Sequence, residues 1–330
     1  MSTRTIALLL AGAGLILSTT ACTSGTTTPA AAASVPATEA TSPAPATPSR
    51  SSDSTGVPGT PTGSAALKAN QRLADEGAFP FQAALLNLKA TEEGKPASDD
   101  RERLSCGGSL LDERHVLSAA HCFYFDSAEA PDPLQDFRVV VGRTTLTSKQ
   151  GQVRRIARVD LHPKYSVRPQ SYDVAVITLD QPVTGIEPVT LVEPGDTSLQ
   201  RLGSLVTYTG WGSPETHLDD DPLQPTSDRM KQASVPMMAG DACRTAYQKH
   251  AYQAAPDLRV SLCTSTTDRI GHCVGDSGGP LFATDAGRVV QLGVVSFAAG
   301  CGDPRYPSVY TRLNKGDINA FIRKTAGSGA

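Results

Sequence analysis

Short runs of apolar and β-branched residues recur along the chain from about residue 68 onward, and clusters of Gly, Pro, Asp and Ser separate them. Such runs between turn formers are typical of an antiparallel all-β domain and not of alternating strand–helix units. The pattern predicts strands at Gln82–Leu88, His115–Ala119, Phe137–Val141, Val153–Leu161, Val174–Leu179, Ser204–Thr209, Met230–Val235, Val289–Phe297 and Ser308–Arg312. Periodicity alone leaves both a barrel and a sandwich open.

A helical pattern is visible near the end of the sequence. Ile318, Phe321 and Ile322 follow i, i+3, i+4 spacing after Gly316-Asp317, which predicts a C-terminal helix. The 29 glycines and 24 prolines argue against a mainly helical bundle, because both residues interrupt helices.

The first residues have the features of an export signal. Arg4 precedes an apolar run, and small residues lead to Cys22, so residues 1–22 are predicted to be a signal peptide. The run is shorter than the roughly 20 residues that a membrane span needs. Thr19–Cys22 resembles a lipobox, although an aliphatic residue is usual where Thr19 stands. Cys22 is therefore either a lipid anchor or an incidental cysteine after ordinary cleavage.

Residues 23–67 are nearly all Thr, Ser, Ala, Pro and Gly. This composition cannot bury enough apolar area to offset the entropy of ordering, so it predicts a disordered linker. The remaining segment, 68–330, is predicted to be the folded domain.

Composition narrows the classes of function. Lys and Arg total 30 and Asp and Glu total 33, for a net charge of −3, which gives no electrostatic basis for binding nucleic acid. The seven cysteines allow three disulfides with one cysteine left over. The export signal predicts that the mature chain is secreted or lipid-anchored on the outer face of a bacterial membrane, where disulfides persist.

Three positions have the residue types of nucleophilic catalysis. Ser277 lies in Gly275-Asp276-Ser277-Gly278-Gly279-Pro280, where glycines let a substrate approach the main chain. His121 follows an apolar strand and precedes Cys122, so a cross-link there would fix the imidazole. Asp173 opens an apolar strand, where a half-buried carboxylate needs a hydrogen-bonded partner. The alternatives are a surface turn, a core histidine and a solvent-facing strand end.

The order of these residues separates the possible mechanisms. Gly275-x-Ser277-x-Gly279 also fits the nucleophile elbow of α/β-hydrolases, but that class requires a histidine after the serine, and the last histidine is His272. The acid–His–Ser order of subtilisins would require an α/β pattern, which is not seen. The order His121, Asp173, Ser277 is that of chymotrypsin-like enzymes.

Several strings resemble the trypsin/chymotrypsin serine protease family in the family's own order. They are LSAAHC (Leu117–Cys122), YDVAVITL (Tyr172–Leu179), GWG (Gly210–Gly212), GDSGGP (Gly275–Pro280) and PSVYTRL (Pro307–Leu313), with GAFPFQAAL (Gly77–Leu85) and CGGSLL (Cys106–Leu111) before them. The resemblance covers Lys68–Lys324. It implies two antiparallel six-stranded β-barrels, with the catalytic residues in the cleft between them.

The resemblance also implies a role for each matched residue. Ser277 would be the nucleophile, His121 the base and Asp173 the group that orients it, with the backbone N–H groups of Gly275 and Ser277 as the oxyanion hole. The implied disulfides are Cys106–Cys122, Cys243–Cys263 and Cys273–Cys301, which leaves Cys22 for a lipid. No cofactor and no metal are expected, because Gly142–Gln152, which matches the family's calcium loop, has no acidic residue.

The substrate pocket departs from the family pattern. An aspartate six residues before the nucleophile selects Arg and Lys in the family, but Gly271 stands there. His272, Ser296, Ala298 and Ser308 match other substrate-binding positions. We therefore expect no Arg/Lys specificity and favour an apolar residue, although a protonated His272 would accept an acidic one.

Activation departs from the pattern as well. In the family, a cut creates an Ile-Val-Gly-Gly-like N-terminus whose ammonium group pairs with the acid before the nucleophile, here Asp276. Lys68-Ala69-Asn70-Gln71 stands at the equivalent position and does not match. A buried Asp276 would still need a partner, and a cut by an activating protease within Thr23–Arg72 is one hypothesis.

Two classes of function are thus predicted. The favoured one is a serine endopeptidase that acts on protein or peptide substrates as a monomer and meets the membrane only through a lipid on Cys22. The alternative is a catalytically silent protease fold that binds a ligand at the cell surface.

Overall fold

The structure is a computed structural model that describes residues 70–92, 95–124, 132–213, 225–250, 255–266 and 268–327. The predicted signal segment 1–22, with Cys22, and the predicted linker 23–67 lie outside these residues. Within the described ranges, no helix has the length and apolar character needed to cross a membrane.

Strands dominate the described chain. The elements in order are β1 (Gln71–Leu73), β2 (Gln82–Asn87), β3 (Thr91–Glu92), β4 (Lys95–Pro96), β5 (Leu104–Asp112), β6 (His115–Ser118), β7 (Phe137–Val141), β8 (Gln152–Leu161), β9 (Ala175–Leu179), β10 (Thr190–Leu191), β11 (Leu205–Gly210), β12 (Lys231–Met238), α1 (Gly240–Lys249), β13 (Ser261–Thr264), β14 (Pro280–Asp285), β15 (Arg288–Phe297), β16 (Ser308–Arg312) and α2 (Gly316–Ala326). All nine predicted strands and the C-terminal helix are present, with ends shifted by at most three residues.

Twelve of these strands form two closed antiparallel barrels. The first barrel has the order β2-β5-β6-β9-β8-β7. The second has the order β12-β11-β14-β15-β16-β13 and closes where β13 pairs with β12. β1 pairs with the first residues of β12, and β10 pairs in parallel with β15. The two six-stranded barrels confirm the predicted fold class.

Alternating side chains fill the barrels. In β12, Ala233, Val235 and Met237 are buried, whereas the intervening Ser234 and Pro236 are partly exposed. This period of two is the geometry of a strand with one face toward the core.

Aromatic and polar contacts join the barrels. Phe79 and Phe81 pack against Phe282 of the second barrel, with ring centroids 5.4 and 6.0 Å apart. Ser109 Oγ of β5 donates a 2.7 Å hydrogen bond to Gln291 Oε1 of β15. The two barrels that border the cleft are therefore packed against each other and joined by a hydrogen bond.

Three disulfides cross-link the fold. They join Cys106 to Cys122, Cys243 to Cys263 and Cys273 to Cys301, the pairs that the family resemblance implies. The first fixes the chain after β6 to β5, the second fixes α1 to β13, and the third ties together the two loops that carry most of the cavity described below.

Candidate active site

His121 lies on one 3₁₀ turn, Ala120–Phe123, that follows β6 directly. Ala120, Cys122 and Phe123 are fully buried, and Cys122 is bonded to Cys106. Burial of its neighbours leaves His121 facing the cleft, with 22% of its side chain exposed. The disulfide and the packed turn hold this imidazole in one place.

Asp173 precedes β9 and is completely buried. Its Oδ1 accepts a 2.9 Å hydrogen bond from the His121 backbone N–H, and its Oδ2 lies 2.8 Å from His121 Nδ1. Ser296 Oγ of the second barrel donates a 2.6 Å bond to the same Oδ2. A proton on Nδ1 satisfies this contact, so Nε2 is left as the acceptor.

Charge and hydrogen bonding keep Asp173 ionised. Burial disfavours the charged carboxylate, but attraction to His121 and the hydrogen bonds from His121 and Ser296 outweigh it and hold the pKa of Asp173 below its ordinary value. A buried carboxylate stays charged only with such partners.

Gln170 is a member of this cluster that the sequence analysis missed. Its Nε2 donates a 3.0 Å bond to Asp173 Oδ2 and lies 2.9 Å from His121 Nδ1. Because Nδ1 already carries a proton directed at Asp173, the carboxylate is the acceptor of the Gln170 amide. Nothing in the local sequence marks this residue apart from its place three positions before Asp173.

Ser277 lies on the turn that leads into β14. Its carbonyl accepts a 2.6 Å bond from Gly107 N of the first barrel, and Gly278 N donates to Val295 O at 2.8 Å. Gly278 has a φ of +79°, and a Cβ there would lie 2.6 Å from Gly107 O. The glycine therefore permits the close approach of the two barrels that locates Ser277.

Two amides beside Ser277 are available to a ligand. The N–H groups of Asp276 and Gly279 donate to carbonyls within the turn. Those of Gly275 and Ser277 donate to no atom of the described chain. Gly275 adopts a φ of +94°, which a residue with a side chain would rarely take.

A cavity of about 230 Å³ brings most of the predicted residues together. His121, Ser277, His272, Ser296 and Ala298 line it. Gln170, Cys273, Val274, Phe297, Gly300 and Cys301 complete the lining. No acidic side chain of the described chain is among them.

Gly271 and Ser308, expected at the pocket, do not line this cavity. They pack against each other behind it: a Cβ on Gly271 would lie 2.8 Å from Ser308 Oγ, and the Gly271 carbonyl accepts a 2.7 Å bond from Tyr208 Oη.

His272 forms a neutral wall of the cavity. It is 4% exposed, and burial lowers its pKa to about 4. This burial argues against the alternative in which a protonated His272 accepts an acidic side chain. Its Nε2 has no hydrogen-bond partner among the described residues.

Comparison with known proteins agrees with this geometry. Residues 69–322 match the family model described as Trypsin. The chain belongs to the trypsin family. Residues 69–322 are therefore a serine-type endopeptidase domain of that family.

Individual relatives match over similar shares of the chain. Identity is 34% to Transmembrane protease serine 9 of Rattus norvegicus, over 64% of this chain and 19% of that protein. It is 32% to Serine protease 28 of Mus musculus (63% of this chain, 73% of that one) and 31% to Trypsin of Saccharopolyspora erythraea (63% and 82%). The match thus spans under a fifth of the rat protein but most of the two shorter relatives.

Proposed function

We propose that the chain is an active serine endopeptidase with Ser277 as nucleophile, His121 as general base and Asp173 as the orienting carboxylate. The observation that carries this proposal is the imidazole of His121, which is fixed through Nδ1 on buried Asp173 while the ring borders the cavity that Ser277 also lines. The remaining ring nitrogen, Nε2, is then the atom that would accept the serine proton.

The chemistry follows from these positions. Ser277 Oγ attacks the carbonyl carbon of the scissile bond, and its proton passes to His121 Nε2. The carbonyl oxygen becomes an oxyanion that accepts hydrogen bonds from the N–H groups of Gly275 and Ser277. His121 then gives the proton to the leaving amine, which yields an acyl-enzyme. Water, activated by His121, hydrolyses the ester and restores the serine.

The same cavity supports a preference for an apolar substrate side chain over Arg or Lys. A cationic side chain would lose its hydration without meeting an acidic group in the described lining. Neutral His272, Ala298 and Phe297 instead offer apolar and aromatic surface. Hydrolysis of a peptide library with every residue at the position before the cut tests this preference; strong cleavage after Arg or Lys contradicts it.

We also propose the domain organisation and location from the sequence: a signal at 1–22, a linker at 23–67 and the protease from 68 onward, working outside the cytoplasm. Three disulfides suit an oxidising compartment. A lipid on Cys22 and a monomeric state belong to the same proposal. Mass spectrometry of the protein purified from membranes tests the lipid, since an acylated Cys22 would form the N-terminus.

Covalent labelling tests the catalytic assignment. We expect an organophosphonate to modify wild-type protein at Ser277, and we expect Ser277→Ala to prevent labelling and lower kcat by about 10⁵–10⁶-fold. Ser234→Ala, at a partly exposed serine of β12, is the matched control and should keep wild-type activity. A folded wild-type chain that neither reacts with the probe nor cleaves peptides would favour the silent binding protein instead.

A further inference from the structure

A lysine and an aspartate form an ion pair inside the second barrel, directly behind the Ser277 turn. Lys231 Nζ lies 3.6 Å from Asp276 Oδ2, and neither side chain is exposed. Lys231 is the first residue of β12, whereas Asp276 separates Gly275 from Ser277. The carboxylate therefore belongs to the turn that carries both the proposed nucleophile and the proposed oxyanion hole.

The contacts of the Asp276 carboxylate tie it both to the chain that follows β11 and to its own loop. Oδ1 accepts a 2.7 Å bond from Gly212 N, and Oδ2 accepts a 3.0 Å bond from Cys273 N. Lys231 Nζ supplies the positive charge and also donates a 3.2 Å bond to Ser213 O. A buried carboxylate without a cation would be strongly disfavoured.

The glycines on both sides of Trp211 are explained by this carboxylate. A Cβ on Gly212 would lie 2.5 Å from Asp276 Cγ, and one on Gly210 would meet Asp276 Oδ1. The two glycines therefore make room for Asp276 beside β11. The Asp276 carboxylate is thus closely surrounded by a cage of four residues, which are Gly210, Gly212, Cys273 and Lys231.

Among the described residues, the chain near the expected activation cut supplies no atom to the contacts of the Asp276 carboxylate. From Asn70 onward it runs along β12: Ser234 N donates to Asn70 O, and Gln71, Arg72 and Leu73 pair with Ala233, Gln232 and Lys231. The uncut chain thus already has its first strand in place, and the cation beside Asp276 comes from the partner strand.

We propose that Lys231 is a positioning residue that supplies, from within the chain, the cation that Asp276 requires, so that the Gly275–Ser277 turn is ready for substrate without a newly cut N-terminus. This inference rests on the proposed function of Ser277. It accounts for the absence of an Ile-Val-Gly-Gly-like sequence at Lys68-Ala69-Asn70-Gln71, because a chain with an internal cation does not need the terminal ammonium group.

The proposal has a consequence for activity at high pH. Burial lowers the pKa of Lys231, and attraction to Asp276 offsets part of this effect. The ammonium therefore loses its proton at a lower pH than an exposed lysine, and activity should fall as it does so. Nearby His272 is neutral above about pH 4, and burial raises the pKa of Tyr208 and Tyr310, so Asp276 is the charged partner that remains.

The test uses full-length protein whose uncut state is checked by N-terminal sequencing and intact mass. Wild type, Lys231→Met, Lys231→Arg and the control Lys89→Met, an exposed lysine beside Asp136, are compared by labelling rate, kcat, KM and pH profile. We expect uncut wild type to react. Lys231→Met should lose on the order of 10²-fold in kcat, with a smaller change in KM.

Lys231→Arg separates positioning from simple stability. It should retain kcat within about tenfold because it keeps a cation, and its alkaline loss of activity should move to higher pH because arginine stays protonated. Lys89→Met should match wild type. A merely structural lysine would not move the alkaline limb.

Three outcomes would overturn the inference. One is a folded Lys231→Met with wild-type kcat, and another is an alkaline limb that does not move in Lys231→Arg. The third needs no variant: an uncut wild type that is inert to the probe, while protein cut within Thr23–Arg72 reacts, would show that a new terminus is required. Ser277 would then still be the nucleophile, whereas failure of both forms to react would remove the proposed function as well.

Discussion

The two barrels hold their shares of the site in different ways. The first barrel holds His121 by a packed turn, a disulfide and the buried Asp173. The second barrel holds Ser277 on a glycine-rich turn in which buried Asp276 pairs with Lys231. The first arrangement sets the protonation and direction of one imidazole, whereas the second sets the shape of a loop.

This difference predicts different kinds of defect. A change beside His121 should alter proton transfer and leave the cavity intact, because the turn is anchored separately. A change behind Ser277 should alter the geometry of the oxyanion hole and the cavity together, since Gly275, Asp276 and His272 belong to one loop. If changes in both barrels produced the same kind of defect, this contrast would be wrong.

Among the residues that support the proposed nucleophile and base, the largest effect is expected at Asp173 in the first barrel. Asp173→Asn removes the charge that stabilises protonated His121 and favours the wrong tautomer, so kcat should fall by about 10³–10⁴-fold at neutral pH. Asp180→Asn, at a carboxylate that follows the other end of β9 and pairs with Arg155, should stay within about twofold. Steady-state kinetics at saturating peptide check both. A loss confined to KM in Asp173→Asn would contradict an orienting role.

A second prediction concerns stability in the second barrel. Burial lowers the pKa of His272 to about 4 in the folded chain, against about 6.5 when unfolded. Because the folded pKa is the lower one, the unfolded chain takes up a proton first as the pH falls. The contribution of neutral His272 to folding stability is therefore complete above about pH 6.5 and is lost as pH falls toward 4. This loss should be about 3 kcal/mol in the free energy of unfolding.

His272→Gln should remove this loss, so its stability should decline less than that of wild type between pH 6.5 and 4. Burial also lowers the pKa of His162, and that contribution remains in both proteins. His250→Gln, at a half-buried ring outside the cavity, is the control. Urea unfolding at several pH values checks the difference, and identical slopes for wild type and His272→Gln would show that this ring is not held neutral.

Secondary structure could be predicted where the sequence pattern is regular. Strands such as β6 and β9 were found because their apolar runs end at turn residues, and α2 was found from the spacing of Ile318 and Ile322. β5 escaped the periodicity analysis because Gly107 and Gly108 interrupt its apolar pattern, although CGGSLL is among the strings that resemble the family. α1 was missed because only Cys243 and Tyr247 of its residues are buried.

Within the site, prediction succeeded where a string carries the residue and failed where only three-dimensional contact does. His121, Asp173 and Ser277 lie in recognisable motifs, and the structure places the first two in contact. Lys231 is the opposite case. Nothing in its local sequence marks it as a functional residue, and it meets Asp276 only after the barrel closes. The pocket was predicted in part, because the packing of Gly271 against Ser308 depends on how the loop that carries Gly271 meets β16.

The smallest effect is expected at Gln170, the added donor of the first barrel. Gln170→Leu removes the 3.0 Å hydrogen bond to Asp173 Oδ2 but leaves those from His121 and Ser296. The lost bond is partly exposed and one of several, so kcat should fall only about threefold to tenfold. Gln181→Leu, at an exposed glutamine that follows β9, should behave as wild type. Gln170 also borders the cavity, and a defect seen only in KM would therefore assign it to substrate binding instead of to the support of Asp173.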